Sequence, residues 1–253
     1  MRLENIHAVV TGGGSGIGAA IARALAAEGA RLTLVGRRRD PLEAVAATLP
    51  HAIAVTADVA DRASVDAAFA RARAAHGSIG ILVNNAGIAP SGPFAKLPPE
   101  VWSQTMAVNL DALFHCCQAA LPDLLAAPAG RIVTIASTAG VKGYGYVAPY
   151  VASKHGAIGL MRALAAEFAT TPLTANSVCP GFTDTDIVAR AIETISTHTG
   201  RSEEEALGEL TRHNPQKRLI EPDEVAATTL WLCLPASRSV TGQAIAVAGG
   251  EIM

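Results

Sequence analysis

Aromatic residues are scarce in this chain: five Phe, three Tyr and two Trp in 253 residues. Charged residues make up only 17%, and the formal net charge is −2. With no basic excess, nothing in the composition points to nucleic acid or an anionic membrane surface. There are four cysteines, Cys116, Cys117, Cys179 and Cys233, and no CxxC. That leaves no zinc ribbon or redox pair. Adjacent cysteines make an awkward disulfide framework, so buried free thiols in a reducing cytoplasm are expected. The seven histidines show no HExxH or other ligand spacing, and no catalytic metal is expected. The opening residues MRLENIHAVVTGGG lack the apolar stretch and cleavage site of a secretory signal. The longest uncharged run, 77–95, is broken by Asn, Gly and Pro and is no membrane span.

What is present is an alternation. Apolar strand-like runs at 7–12, 31–36, 52–59, 79–87, 130–137, 173–181 and 243–250 alternate with helical patterns at 17–30, 41–49, 63–77, 99–126, 148–169 and 222–234. The long pattern at 99–126 is expected to kink or end at Pro122. Helices are the usual crossovers between parallel strands. The alternation therefore predicts an α/β chain, a doubly wound parallel sheet of Rossmann type covered on both faces, in a single domain spanning 1–253. Ligands of such sheets lie at the carboxyl ends of the strands, so the strand-end residues are the ones to read.

The first strand runs into TGGGSGIG (11–18). Glycines permit a sharp turn and close approach to a ligand, and the helix N-terminus that follows offers free N–H groups to a pyrophosphate. Gly12, Gly16 and Gly18 give GxxxGxG, while Gly14, Gly16 and Ala19 also fit GxGxxA. Between a first strand and a first helix, such a cluster favours a dinucleotide. At the end of the second strand, a carboxylate would bind the ribose hydroxyls of NAD. Gly36 stands there instead, followed by Arg37 and Arg38. A guanidinium matches a phosphate, and one charge-assisted hydrogen bond contributes ~1.5–3 kcal/mol. The reading favours NADP(H) and leaves NAD(H) possible, since Ser15 stands where a second basic residue would help. Asp58 and Val59 end the third strand, where the carboxylate is placed to meet the adenine amino group. NNAG (84–87) ends the fourth, with amides to tie strand ends and a small-residue surface for a flat ring.

Tyr150 and Lys154 in APYVASKHG are i and i+4, one face and one turn apart on a helix. The pair reads either as solvated surface or as an acid–base pair.

TGGGSGIG, NNAG, Asn109, Ser137, YVASK and PGFTDT (180–185) come in the order and at roughly the spacings of the short-chain dehydrogenase/reductase family. The resemblance covers essentially the whole chain and is nearest to the 3-ketoacyl and aromatic polyketide ketoreductase branch. It implies that Tyr150 is the general acid of carbonyl reduction. Free tyrosine has a pKa of about 10, and a shift of three units corresponds to roughly 4 kcal/mol. The resemblance assigns that lowering to Lys154 together with an oxidised nicotinamide. Lys154 would also hold the nicotinamide ribose, Ser137 the substrate oxygen, and Asn109 a water that carries protons to Lys154. The implied cofactor contacts are Gly12, Ser15, Gly16, Ile17, Gly18, Arg37, Arg38, Asp58, Val59, Asn85, Ala86, Gly87, Tyr150 and Lys154. They continue with Pro180, Gly181 and Thr183 at the carboxamide, and Thr185 near the carboxamide or pyrophosphate.

The expected activity is interconversion of a ketone and a secondary alcohol, with a 3-oxoacyl thioester on coenzyme A or a carrier protein as one substrate class. An NAD-linked secondary-alcohol or 3-hydroxyacyl-CoA dehydrogenase and a nucleotide-sensing protein are the alternatives. The four-residue set argues against a sensor. Family members pair the helices carrying Asn109 and Tyr150, so a homotetramer is expected, with Leu113, Phe114, Leu121, Ile158, Met161 and Leu164 as surplus apolar residues. The segment at about 186–217 is expected to be a mobile substrate lid. His155 is expected to serve packing or surface, Asp184 and Asp186 capping or solvent, and Cys179 a buried strand. RSEEEALGEL (201–210) reads as a solvated helix face.

Overall fold

Seven strands pair side by side and all in parallel, in the order β3-β2-β1-β4-β5-β6-β7. They are β1 (His7–Thr11), β2 (Arg31–Gly36), β3 (Ala52–Thr56), β4 (Ile79–Asn84), β5 (Arg131–Ile135), β6 (Thr174–Pro180) and β7 (Ala244–Val247). The structure is a computed structural model and describes residues 1–252. The helices are α1 (Gly16–Ala27), α2 (Arg39–Ala46), α3 (Arg62–His76), α4 (Pro99–Met106), α5 (Ala112–Ala126), α6 (Ala148–Glu167), α7 (Asp186–Thr199), α8 (Glu203–Thr211) and α9 (Pro222–Cys233).

Successive strand residues face opposite sides of the sheet. Val10, Leu32, Leu34 and Val83 pack with Ile21 and Leu25 of α1 and Val225 of α9 in one core. Val9, Val35, Leu82 and Ile132 pack with Phe69 of α3, Cys116 of α5 and Met161 of α6 in the other. Both faces are covered, which is why the strands read as unbroken apolar runs. Among the described residues, no helix is long and apolar enough to cross a membrane.

The strand order reverses between β1 and β4, both of which pair with neighbours on either side. The crevice at that point is where open sheets of this kind take ligands. β3 and β4 stop at Thr56 and Asn84, shorter than the apolar runs, so Asp58–Val59 and Asn85–Gly87 become loops at this crevice.

Two helical readings are revised. The 99–126 pattern is not broken at Pro122, which lies exposed inside α5. Its irregularity sits earlier, in a π-helical turn at Ala107–Asp111. The 186–217 segment, expected to mix helical and irregular chain, holds two helices up to Thr211 and turns beyond it. Ser196–Thr199 lies within α7, and Gly200 ends it in a left-handed conformation at φ 72°. Ser202 and Glu205 form a capping box at the start of α8.

Candidate active site

The β1–α1 turn is built on close approach. A Cβ on Gly18 would lie 2.2 Å from the Gly12 carbonyl oxygen, and one on Gly12 would lie 2.8 Å from the Asn85 amide nitrogen. Gly12 and Gly16 have φ of +65° and +49°, a region that disfavours L side chains. Asn85 Nδ2 donates to the carbonyls of Thr11 and Gly12 at 3.0 and 3.2 Å. Thr11 Oγ1 in return accepts from the N–H groups of Asn85 and Ala86. The Asn85 side chain therefore serves the turn, joining the ends of β1 and β4. Thr11, which sequence reading passed over, is its partner. Ile17 turns its side chain into the core, so it can offer a ligand only its backbone. Ser15 precedes α1 without a side-chain cap, and the first turn carries no acidic residue. The free N–H groups and positive dipole end suit a phosphate.

Gly12, Gly36, Arg37, Arg38, Asp58, Val59, Ala86 and Gly87 line one cavity of about 190 Å³. A smaller adjoining hollow adds Gly14 and Ser15. Arg39 ion-pairs with Glu43 at 2.7 Å, while Arg37 and Arg38 remain exposed at the rim. Asp58 Oδ1 accepts from the Ala60 N–H at 3.0 Å, which holds its exposed carboxylate at the mouth. The donors, the apolar floor and the two guanidiniums fit a phosphorylated dinucleotide.

The other strand ends complete the crevice. Gly181 donates its N–H to Val247, and Thr183 Oγ1 donates back to the Gly181 carbonyl. Pro180, Gly181 and Thr183 thus form a pinned turn beyond β6. Thr185 lies on the glycine side: a Cβ at Gly16 would meet its Cγ2 at 3.0 Å.

The π turn carries Asn109, which is 1% exposed. π turns concentrate at functional sites. Asn109 Nδ2 donates to the Ile88 carbonyl at 2.8 Å and to Ser153 Oγ at 3.1 Å, and Oδ1 accepts from the Ile88 N–H at 2.9 Å. Both amide hydrogens are used, so one Oδ1 lone pair is left for a water. Ser153, not anticipated from sequence, donates to the Tyr150 carbonyl at 2.8 Å. Lys154 Nζ donates to the Ile135 carbonyl at 2.8 Å and lies 5.6 Å from the centre of the Tyr150 ring. A Cβ at Gly87 would come within 3.3 Å of Asn109 Oδ1 and 3.6 Å of Lys154 Nζ. The four catalytic candidates therefore meet beside the cofactor crevice. Ser137 ends β5's extension, and its Oγ accepts from the Ala139 N–H at 3.0 Å.

Burial sets the electrostatics. It pushes the Tyr150 phenol above its usual value, against a hydrogen bond with Ser137 that favours the phenolate. It pulls Lys154 down to about 8. The expected lowering of the phenol by the lysine is thus not a property of the protein alone: burial is the largest cause of both shifts.

His155 is exposed on α6 and Cys179 is fully buried. Asp184 and Asp186 are exposed, and Asp186 opens α7. The acidic first turn of α8 is solvated, as read. Among the described residues, no cluster of His, Cys, Asp and Glu is arranged to hold a metal. Leu113, Ile158 and Met161 are buried in the chain's own core and are not surplus. Phe114 on α5 and Trp231 on α9, which covers the other face of the sheet, are exposed, at 51% and 45%.

A doubly wound sheet with a glycine turn at its switch point, and a Ser after β5 set against a Tyr–Lys pair on α6, defines an oxidoreductase. The chain belongs to the short-chain dehydrogenase family, whose model matches residues 6–196. It is 41% identical over 249 residues to ketoacyl reductase 1 assigned to the granaticin polyketide synthase of Streptomyces violaceoruber, covering 96% of this chain and 92% of that one. It is 37% identical over 255 residues to a D-beta-hydroxybutyrate dehydrogenase of Cupriavidus necator, covering 99% of both. A crystal structure of a point variant of actinorhodin polyketide ketoreductase with NADPH matches with a TM-score of 0.94. That likeness is at 38% identity and covers 97% of each chain.

Proposed function

We propose that the protein is an NADP(H)-dependent ketoreductase acting on a 3-oxoacyl thioester or a related ketone. The observation that carries this reading is the convergence of Ser137, Tyr150 and Lys154 beside a crevice whose rim bears Arg37 and Arg38 and no carboxylate at Gly36. The bound cofactor supplies the hydride. Ser137 holds the ketone oxygen, and Tyr150 gives that oxygen its proton as the alcohol forms. Lys154 orients the ribose and, beside an oxidised nicotinamide, favours the phenolate left behind. Asn109 braces the Ile88 loop and Ser153 so that Lys154 and Tyr150 keep their spacing.

The protein works in the cytoplasm as a homotetramer in this reading, supported by four buried free thiols and by the exposed Phe114 and Trp231. The helices α7 and α8 close over the substrate as a lid. The likeness to a D-beta-hydroxybutyrate dehydrogenase supports a second reading, an NAD-linked secondary-alcohol dehydrogenase.

Turnover of a panel of ketones and secondary alcohols, among them acetoacetyl-CoA and free 3-hydroxybutyrate, with each cofactor separates the two. Reduction of a thioester with NADPH preferred is expected. Oxidation of free alcohols with NAD alone would replace the first reading by the second.

A further inference from the structure

Glu251, two residues before the chain's last, lies far from every motif above, yet its side chain is only 1% exposed. The tail reaches the interior through Gly249 and Gly250, both at positive φ. Neither could carry a side chain there easily: a Cβ on Gly249 would strike Asn214 Oδ1 at 2.2 Å, and one on Gly250 would touch Pro215. Glu251 Oε1 accepts from the Tyr144 hydroxyl at 2.5 Å and from Lys142 Nζ at 3.1 Å. The Tyr144 oxygen is also 2.7 Å from Thr138 Oγ1. One phenol hydrogen serves one acceptor, so the Thr138 hydroxyl donates to Tyr144 and Tyr144 donates to Glu251. Lys142 also lies over the Tyr144 ring, 4.9 Å from its centre.

This chain of bonds ends at the catalytic centre. Thr138 follows Ser137 and opens the short turn 138–140 whose N–H at Ala139 holds Ser137 Oγ. Tyr144 packs edge-to-face on Phe182 with ring centres 6.3 Å apart, next to the Pro180–Gly181 turn. A Cβ at Gly181 would lie 3.1 Å from Glu251 Oε2. The Tyr144 phenol is held above its usual value by burial and by Glu251, and is close enough to feel Tyr150. Glu251 therefore reaches, directly or through Tyr144, the segment after Ser137 and the turn beyond β6, while Gly249 and Gly250 just before it pack on Asn214 and Pro215.

We infer that Glu251 is a positioning residue: through Tyr144 and Thr138 it fixes the loop that carries Ser137, and so sets the substrate wall opposite Tyr150. The inference rests on the reading of Ser137 and Tyr150 as the site of ketone reduction. A buried carboxylate that serves two donors is hard to replace, because removing it leaves Tyr144 and Lys142 without their acceptor. A displaced Ser137 weakens orientation of the carbonyl and leaves the crevice for the dinucleotide intact.

The test compares Glu251→Ala, Glu251→Gln, Tyr144→Phe and the double variant Glu251→Ala/Tyr144→Phe with the parent. The readouts are kcat and KM for an accepted ketone, NADPH affinity, and hydrogen exchange of 138–146. Glu251→Ala and Tyr144→Phe should each lower kcat/KM about tenfold or more, with NADPH affinity unchanged. The double variant should be no worse than Glu251→Ala, since both cut one chain of bonds. Glu251→Gln should recover most of the loss, because its amide oxygen still accepts from Tyr144. Exchange across 138–146 should quicken in Glu251→Ala. If Glu251→Ala does not fold, Tyr144→Phe decides alone. Activity within about twofold of the parent, with unchanged exchange, overturns the inference. So does a loss of NADPH affinity alongside activity that Gln does not rescue. A parent that reduces no ketone sinks the functional reading instead, and the exchange of 138–146 then judges the role of Glu251 by itself.

Discussion

The ammonium of Lys154 and the ring of Tyr150 lie 5.6 Å apart, centre to nitrogen, with Lys154 anchored on the Ile135 carbonyl. Lys154 is 5% exposed and has no carboxylate among its described hydrogen-bond and ion-pair partners. A buried cation without a counter-ion is costly, and the protein lowers that cost by weakening its hold on the proton.

That cost has a pH signature. The unfolded lysine keeps its proton to about 10.5, while the folded one releases it near 8. Between those values the unfolded chain binds more protons, so the contribution of this group to stability rises with pH and its penalty is complete below 8. The shift corresponds to about 3 kcal/mol. Lys154→Met should gain stability relative to the parent at pH 7, and that gain should shrink by pH 10. Chemical denaturation of both proteins across the range measures it; a difference independent of pH would reject the assignment.

Tyr150→Phe removes the transferable proton and little else. Turnover should fall by at least about a hundredfold, while cofactor affinity persists. Stopped-flow reduction at near-parent speed would mean that another group supplies the proton.

Arg37→Asp places a carboxylate at the rim of the crevice. It should weaken NADP(H) and spare or improve NAD(H), since a carboxylate repels a 2′-phosphate and binds ribose hydroxyls. Titrations in which the parent already binds NAD(H) more tightly would reverse the cofactor assignment.

His7 offers an independent acid test away from the site. Its ring bridges the Gly77 carbonyl at 2.8 Å and Thr33 Oγ1 at 2.9 Å, and burial pulls its pKa down to about 4. The unfolded histidine takes up its proton near 6.5, so the folded state loses stability as pH falls from 6.5 toward 4, by about 3 kcal/mol for this group. His7→Gln should flatten the stability profile in that window, as followed by urea midpoints. A parallel decline in both proteins would place the acid sensitivity elsewhere.

The helix α7 begins a few residues after the Pro180–Gly181 turn, α8 follows it, and both carry exposed residues. Hydrogen exchange across 190–212 should slow when cofactor and ketone are bound together, as a lid orders over the site. Strong protection that is equal with and without ligand would make this segment a rigid wall.

The sheet, its two covered faces and the strand-end motifs were legible because their signals are local. Apolar runs interrupted by TGGGSGIG or NNAG, and a Tyr150–Lys154 spacing of four, report helix and strand geometry between chain neighbours. Boundaries were overextended at β3 and β4, because hydrophobicity continues into loops after the sheet pairing has ended. The π turn around Asn109 left no mark in the periodicity of 99–126, and Pro122 supplied a misleading one.

Placement across the chain was decided by tertiary structure alone. The NNAG amides read as ties between strand ends and Asn85 also as a cofactor contact, and packing decides that its side chain is committed to the Thr11–Gly12 turn. Leu113, Ile158 and Met161 look like surplus apolar residues on a helical wheel, and their burial depends on which neighbours the fold brings against them. The balance between burial and charge that lowers Lys154 and raises Tyr150 follows from depth, which no spacing encodes. Glu251 is the extreme case. It stands 107 residues from Tyr144, and only the folded tail makes them hydrogen-bond partners.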